Sequence, residues 1–302
     1  MKLALPARPP FLFHSVIHSH GWYQLAPLQW DTTSATLHKP EQLESGRVVL
    51  MAIQGDANGI RVETPGRLSA HEITEIRIKL MWMFQLEADF TAFYQLADHE
   101  PRLAHCRSQA QGRLLRSTSL FEDVVKVMAT TNIQWGGTRR LVQRLVTAFG
   151  QTLTADETWR AFPTAAHIAA SDETTLRQLG WGYRSPYLLK LARGVMASEY
   201  DLDALLASSL PTSELRKMLL KLPGIGSYAA ATLLGILGRY DYIGVDTEAV
   251  SAVSQAFYGG RPVGEKEINA VFDRWGPYKA LAYWFWDWSG ARQTPMEAWE
   301  AR

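Results

Sequence analysis

Leu222-Pro223-Gly224-Ile225-Gly226-Ser227, followed at once by an alanine-rich run from Tyr228 to Leu237, is the stretch on which the fold turns. Leu215, Leu219 and Leu220 before it suit one short helix, and the run after it suits a second. Two glycines flanking one apolar residue allow a tight hairpin between those helices, because glycine tolerates the positive φ that such a turn needs. The Ile225 side chain can then plug back between them. At the start of the second helix the backbone N–H groups lack intrahelical partners and point outward. Such a helix start is an anion site suited to a phosphate, and it needs no net positive charge. Taken alone, the hairpin is equally compatible with any helix corner that turns on Gly-Ile-Gly.

Ile243-Gly244-Val245-Asp246-Thr247 follows about twenty residues later. It places one carboxylate, Asp246, just after an apolar run, at the expected N-cap of the next helix. Capping and chemistry are not exclusive, and both readings of Asp246 stay open here.

Working outward, Phe11 to Phe13, Val16-Ile17, Trp22 to Leu25, Val48 to Ile53 and Ile60 to Val62 are short apolar or alternating runs. Turn signals such as His20-Gly21, Glu44-Ser45-Gly46 and Gly55 to Gly59 separate them, which predicts a small antiparallel sheet. From about residue 70 the spacing of Ile73, Ile76, Leu80, Met83 and Phe84 is helical, and Asp89 is placed to cap a helix carrying Phe90, Phe93 and Tyr94. From Thr118 onward the chain reads as successive helices, one of them ending at Gly150. The expected fold class is α+β. A small N-terminal antiparallel sheet with flanking helices would occupy 1–110, and an all-helical body 111–302.

Composition sets the limits. The chain has 302 residues, 47% of them hydrophobic and 20% charged, enough to bury a real core. A net charge of +1 and a pI near 7.9 exclude a strongly basic nucleic-acid coat protein, so any polyanion must be met by a local patch or by backbone groups. The single cysteine, Cys106, excludes an internal disulfide framework and any cluster or zinc site built on several thiolates. No stretch reaches the roughly 18 apolar residues of a membrane span. Met1 to Pro10 carries no apolar signal core, so the expectation is a soluble, cytoplasmic protein, nucleoid-associated in a bacterium.

Four landmarks occur in order along residues 118–288. They are Phe121-Glu122-Asp123 through Thr130-Thr131-Asn132, then Leu179-Gly180-Trp181-Gly182-Tyr183-Arg184, then the hairpin with Asp246, then Trp275-Gly276-Pro277-Tyr278 through Trp286. In that order they resemble the helix-hairpin-helix DNA glycosylase superfamily, its 8-oxoguanine and 3-methyladenine II branches in particular. The resemblance implies a base-excision repair enzyme that acts on double-stranded DNA, flips a damaged base into a pocket at a cleft of the helical body and cuts its N-glycosidic bond. Asp246 would be the catalytic carboxylate, stabilising oxocarbenium character on the sugar and orienting water. Pro223, Gly224, Ile225, Gly226, Ser227 and Thr247 would meet DNA at the hairpin. Asn132 and Gln134 would fill the gap left by the flipped base, although the same loop residues also suit a helix cap. Trp135, Trp181, Tyr183, Tyr228, Tyr283 and Trp286 would line the base pocket, with core packing the plainer role for most of the aromatic run. The carbonyls of Leu220, Leu222 and Ile225 align with positions that hold a monovalent cation, Na+ or K+. Arg139, Arg140, Arg144, Arg184 and Lys190 are the basic residues placed for phosphates.

Two departures from the family pattern matter. Bifunctional relatives carry a Schiff-base lysine two residues after the last hairpin glycine, where this chain has Tyr228. The resemblance therefore implies a monofunctional glycosylase that leaves an abasic site. Cluster-bearing relatives hold iron and sulfur with four cysteines, and one cysteine rules that out, so no cofactor is expected beyond the monovalent cation. Glu248 stands where some relatives have histidine. A monomer is the default expectation. The alternatives are a glycosylase/lyase using another amine such as Lys221, and a non-catalytic module that binds damaged DNA.

Overall fold

The computed structural model describes residues 1–289. Its strands are β1 Lys2–Pro6, β2 Gln29–Asp31, β3 Thr36–Gln42, β4 Val48–Gly55, β5 Gly59–Glu63, β6 Thr152–Leu153 and β7 Asp156–Arg160. The helices in the first part of the chain are α1 Phe13–Ile17, α2 Ala70–Met83, α3 Thr91–Ala97, α4 His105–Ser108, α5 Leu120–Thr130, α6 Trp135–Phe149, α7 Ala165–Ala169, α8 Glu173–Gln178 and α9 Ser185–Met196. They continue with α10 Leu202–Leu206, α11 Thr212–Leu219, α12 Ser227–Ile236, α13 Thr247–Tyr258, α14 Glu265–Phe272 and α15 Lys279–Trp284. The chain is α+β, as the residue pattern predicts. It divides into two compact units, residues 1–88 with 113–204, and 89–112 with the chain from 205 on. These units cut the chain elsewhere than at 110/111, and the first joins the sheet to α5, whose Glu122 pairs with Lys39 of β3.

In the first unit five strands form one antiparallel sheet in the order β1-β5-β4-β3-β2. β4 and β5 lie where the apolar runs predict them. The runs at 11–17 and 22–25 do not form strands. Phe13, Val16 and Ile17 are buried along one face of α1, the i, i+3, i+4 spacing of a helix, and Gly21–Gln24 is a 3-10 turn. The strands missed in the sequence, β1, β2 and β3, are polar or carry proline. Pro40 is tolerated in β3 because it lies beyond the short pairing of β2, on an open stretch of strand edge. One further departure is the β6–β7 ribbon, so the body after residue 111 is not wholly helical.

β3 also turns charged residues inward. Lys39 and Glu41 share a face with Leu37, and both are buried. Lys39 Nζ lies 2.9 Å from Glu41 and 3.4 Å from Glu122 on α5, whose other oxygen is 2.6 Å from Lys126. Lys79 on α2 bonds Glu41 at 2.8 Å and Glu75 at 2.7 Å. Asp123 accepts from the Trp22 indole N–H (2.8 Å) and from the Ser117 N–H (3.0 Å). A continuous ionic network thus ties the sheet to α2 and α5. Burial alone would raise the Glu41 carboxyl, but the ammonium groups of Lys39 and Lys79 outweigh it and hold Glu41 at about 2. A depressed carboxylate contributes stability above its unfolded value near 4.5, and that contribution disappears as the pH falls toward 2. Thermal melts between pH 5 and pH 2 should therefore fall more steeply for the wild type than for Glu41→Gln. Parallel curves would remove Glu41 from the acid response.

The second unit is built around α12, whose residues Ala229, Ala230, Ala231, Leu233, Leu234 and Ile236 are buried. A helix apolar on nearly all sides belongs inside, which explains its alanine-rich composition. Phe257, Phe272, Trp275, Tyr283, Trp286 and Trp288 form a second apolar cluster in this unit, with ring centroids 5.4 to 6.5 Å apart.

Candidate functional site

The hairpin closes as its glycines predict. Gly224 takes φ +74, the left-handed value that a side chain resists, and the Ile225 N–H donates to Leu222 O at 3.2 Å. Pro223 and Ile225 are buried, so the turn is anchored from inside, while Gly226 and Ser227 stay exposed. Gly226 is the N-cap of α12 and offers no side chain to its first turn. The positive end of the α12 dipole therefore faces outward without a capping anion. Arg216 of α11 reaches the same place. Its Nη2 donates to Ser227 Oγ at 2.9 Å, and its guanidinium stacks over the Tyr242 ring at 4.6 Å. Tyr242 is held in turn by a 2.6 Å bond to Glu265. Backbone dipole and guanidinium both favour an anion here.

Asp246 is the N-cap of α13, as its sequence position predicts, and Oδ1 accepts the Ala249 N–H at 2.7 Å. The side chain is half-buried. The chain reaches it by running against α12, since a Cβ at Gly244 would lie 3.1 Å from Ala231 Cβ and 3.6 Å from Tyr228 Cδ2. This brings Asp246 into the electrostatic field of Tyr228. Burial, then the negative charges of Asp246 and Glu248, push the Tyr228 hydroxyl up to about 12 despite a hydrogen bond with Thr232. Tyr228 is thus a neutral phenol at working pH. Thr247 opens α13 and is exposed.

In the first unit, Asn132 and Gln134, the residues expected to act as a wedge, lie in the loop between α5 and α6. Asn132 is exposed and left-handed at φ +49. Its amide donates to Tyr183 Oη at 3.1 Å, so it does not cap α6. Gln134 is the N-cap of α6 but contributes no side-chain bond. Trp135 is half-buried. Its indole N–H donates to Gln24 at 2.6 Å and its ring lies so close to Gly21 that a Cβ there would stand 2.3 Å from it.

Solved structures share this fold over almost the whole chain. MBOgg1, in complex with a low-affinity DNA ligand, superimposes with a TM-score of 0.75 at 20% identity, covering 96% of this chain and 95% of that one. The 3-methyladenine DNA glycosylase of Archaeoglobus fulgidus gives 0.75 at 18% identity, covering 94% and 97%. The apo 8-oxoguanine glycosylase/lyase of Clostridium acetobutylicum gives 0.70 at 16%, covering 95% and 98%. The fold is that of the helix-hairpin-helix DNA glycosylases.

Curated relatives carry the same kind of name. A "Probable N-glycosylase/DNA lyase" of Methanothermobacter thermautotrophicus is 26% identical over 183 residues, 53% of this chain and 56% of the relative. The N-glycosylase/DNA lyase of Saccharomyces cerevisiae is 20% identical over 243 residues, 68% and 64%. The chain thus spans less than two thirds of the length of these relatives. No family model matches it.

Several expected pocket residues sit elsewhere within this glycosylase fold. Trp181 is wholly buried, so its ring presents no face to a ligand. Tyr283 and Trp286 belong to the aromatic cluster of the second unit and are almost fully buried. The landmark stretch from Trp275 to Trp286 is not one continuous helix. Gly276 at φ +51 and Pro277 end a 3-10 turn before α15 begins. Arg184 is not a surface phosphate contact. Its Nε donates to Met128 O at 3.2 Å and its Nη2 to Thr131 O, so it closes the C-terminal end of α5. Arg139, Arg140, Arg144 and Lys190 are exposed, as a phosphate-facing role requires. Arg216 was not singled out in the sequence. The signal that could have found it is its position in the second half of α11, about two helical turns before the hairpin.

Proposed function

We propose that the protein is a DNA base-excision glycosylase, monofunctional, acting on double-stranded DNA that carries a damaged base. The observation that carries this reading is the pairing, in one compact unit, of an outward-facing helix start with the half-buried carboxylate of Asp246 beside a neutral Tyr228. The hairpin from Pro223 to Ser227, with Arg216 and Thr247, binds a backbone phosphate. Leu220, Leu222 and Ile225 supply backbone carbonyls around the end of α11, hard oxygen donors of the kind a monovalent cation accepts, and that cation would add positive charge at the phosphate. Arg139, Arg140, Arg144 and Lys190 add exposed charge, and Asn132 and Gln134 lie in the loop that meets the helix interior.

The flipped base leaves with the electrons of its N-glycosidic bond, and the sugar gains positive charge. Asp246 stabilises that charge and orients the water that completes hydrolysis, giving a free base and an abasic site. Tyr228 occupies the place where a lyase would need an amine. A phenol has no nitrogen with which to form a Schiff base, so strand cleavage should require added alkali.

Borohydride reduction during turnover on a lesion-bearing duplex tests that division. The wild type should give no covalent DNA adduct, whereas Tyr228→Lys should gain one, with strand breaks that no longer need alkali. A trapped adduct in the wild type would mean that another amine, such as Lys221, acts as nucleophile and that the enzyme is bifunctional.

A further inference from the structure

In the first unit, the start of α2 and the turn between β3 and β4 bring three metal-ligating side chains together. His71 and Glu75 are four residues apart on α2, so they share one face of the helix. Glu44 comes from the turn. One ligand atom from each of the three lies within 4.8 Å of the other two, and His71 Nε2 stands 3.8 Å from a Glu44 carboxylate oxygen.

The backbone under this group is fastened. The turn closes through the Leu43 N–H to Arg47 O at 2.9 Å and the Gly46 N–H to Leu43 O at 2.8 Å. The Glu44 N–H donates to both Glu75 oxygens at 3.1 Å, which pins the turn to the helix. Ser69 and Glu72 form a capping box, so His71 sits on a well-formed first turn. The Glu75 side chain is only 6% exposed, and Lys79 takes its Oε1 at 2.7 Å. Oε2 is left with no donor but the shared Glu44 N–H. An oxygen so deeply placed normally has its lone pairs satisfied. Beside it stand two more ligands that are uncommitted. Among the described residues, neither the Glu44 carboxylate nor the His71 ring has a hydrogen-bond partner.

Two carboxylates and a neutral imidazole carry a charge of about −2, which a divalent cation matches. One nitrogen and two oxygens suit zinc, whose bonds to such atoms are about 2.0–2.2 Å, with its ligands then roughly 3.4 Å apart. Calcium, which takes about six to eight oxygens, is poorly matched. Glu44 and His71 are 71% and 73% exposed, so their side chains are free to rotate inward by the small distance required. Glu75 is the fixed ligand, oriented by Lys79 and the Glu44 N–H.

We propose that Glu44, His71 and Glu75 form a site for a divalent cation of the zinc class, which braces the β3–β4 turn against α2. Its occupation is independent of base excision.

The test titrates zinc ion alone into the full chain after dialysis against a chelator, with heat of binding as the first readout. The wild type should bind, and His71→Ala and Glu44→Gln, both at exposed positions, should each weaken binding about tenfold or more. Hydrogen exchange locates the ion. Zinc should slow exchange of the amides at 43–47 and 70–75 in the wild type and not in His71→Ala. The rings of His14 and His18 stack at 3.9 Å and are a second place where zinc could collect, so His14→Ala is the control and should bind as the wild type does. Melting curves without zinc check that each variant is folded. No binding to the wild type, binding unchanged in both folded variants, or binding lost in His14→Ala overturns the assignment.

Discussion

Asp246→Asn should leave the protein folded with its melting temperature little changed, while base release falls by roughly 10²–10⁴-fold. The separation comes from the cap. Asp246 Oδ1 accepts the Ala249 N–H, and an asparagine oxygen can accept the same bond at the same place. What asparagine cannot supply is the negative charge that, in the proposed function, faces the developing cation on the sugar. Asp246→Ala removes both and should cost about 1 kcal/mol of stability in addition to activity. If Asp246 only capped α13, the order would reverse, with the asparagine variant silent and the alanine variant destabilised. Chemical quench at saturating enzyme, with melting curves alongside, distinguishes the two.

The second large effect is on stability. Glu122→Ala should destabilise the first unit by about 3–5 kcal/mol, a fall in melting temperature of roughly 6–20 °C. Glu122 is the carboxylate that Lys39 and Lys126 share, at 3.4 and 2.6 Å, and all three side chains are buried. Removing it takes the carboxylate from the buried Lys126 ammonium and leaves that charge beside Lys39, which keeps Glu41. A control is Glu63→Ala. Its pair with Lys2 is on the surface, where solvent screens it, and its loss should barely move the melt. A small change for Glu122→Ala would mean that water enters the network and that the ions do not hold sheet and helix together.

Much of the second unit is legible in the sequence because its signals are local. Gly224 needs a positive φ, Asp246 suits an N-cap, and the alanine-rich run from Tyr228 is apolar on nearly every side. Each constraint acts within a few residues, so spacing alone reveals it. The sheet was harder to read. Its inward face includes Lys39 and Glu41, which look like surface residues until Glu122, more than eighty positions away, is brought beside them. The stretch from Phe11 to Ile17 is apolar enough for a strand, yet the spacing of Phe13, Val16 and Ile17 fits the helix that forms. At the candidate site, the positions of Asp246 and the hairpin followed from sequence. The fates of Trp135, Trp181 and Arg184 depended on partners distant in the chain. Arg184 reads as a free cation among other cations, and only the folded loop offers it the carbonyls of Met128 and Thr131.

In the proposed function this chain removes a damaged base. The most direct measurement is release of free base from duplexes each carrying one lesion, among them alkylated purines, 8-oxoguanine, hypoxanthine and uracil, with an undamaged duplex as control. Free base should appear from at least one lesion and not from the control, with strand breaks only after alkali. Tight binding to damaged DNA without release from any of them would contradict the account and leave a non-catalytic binding module in its place.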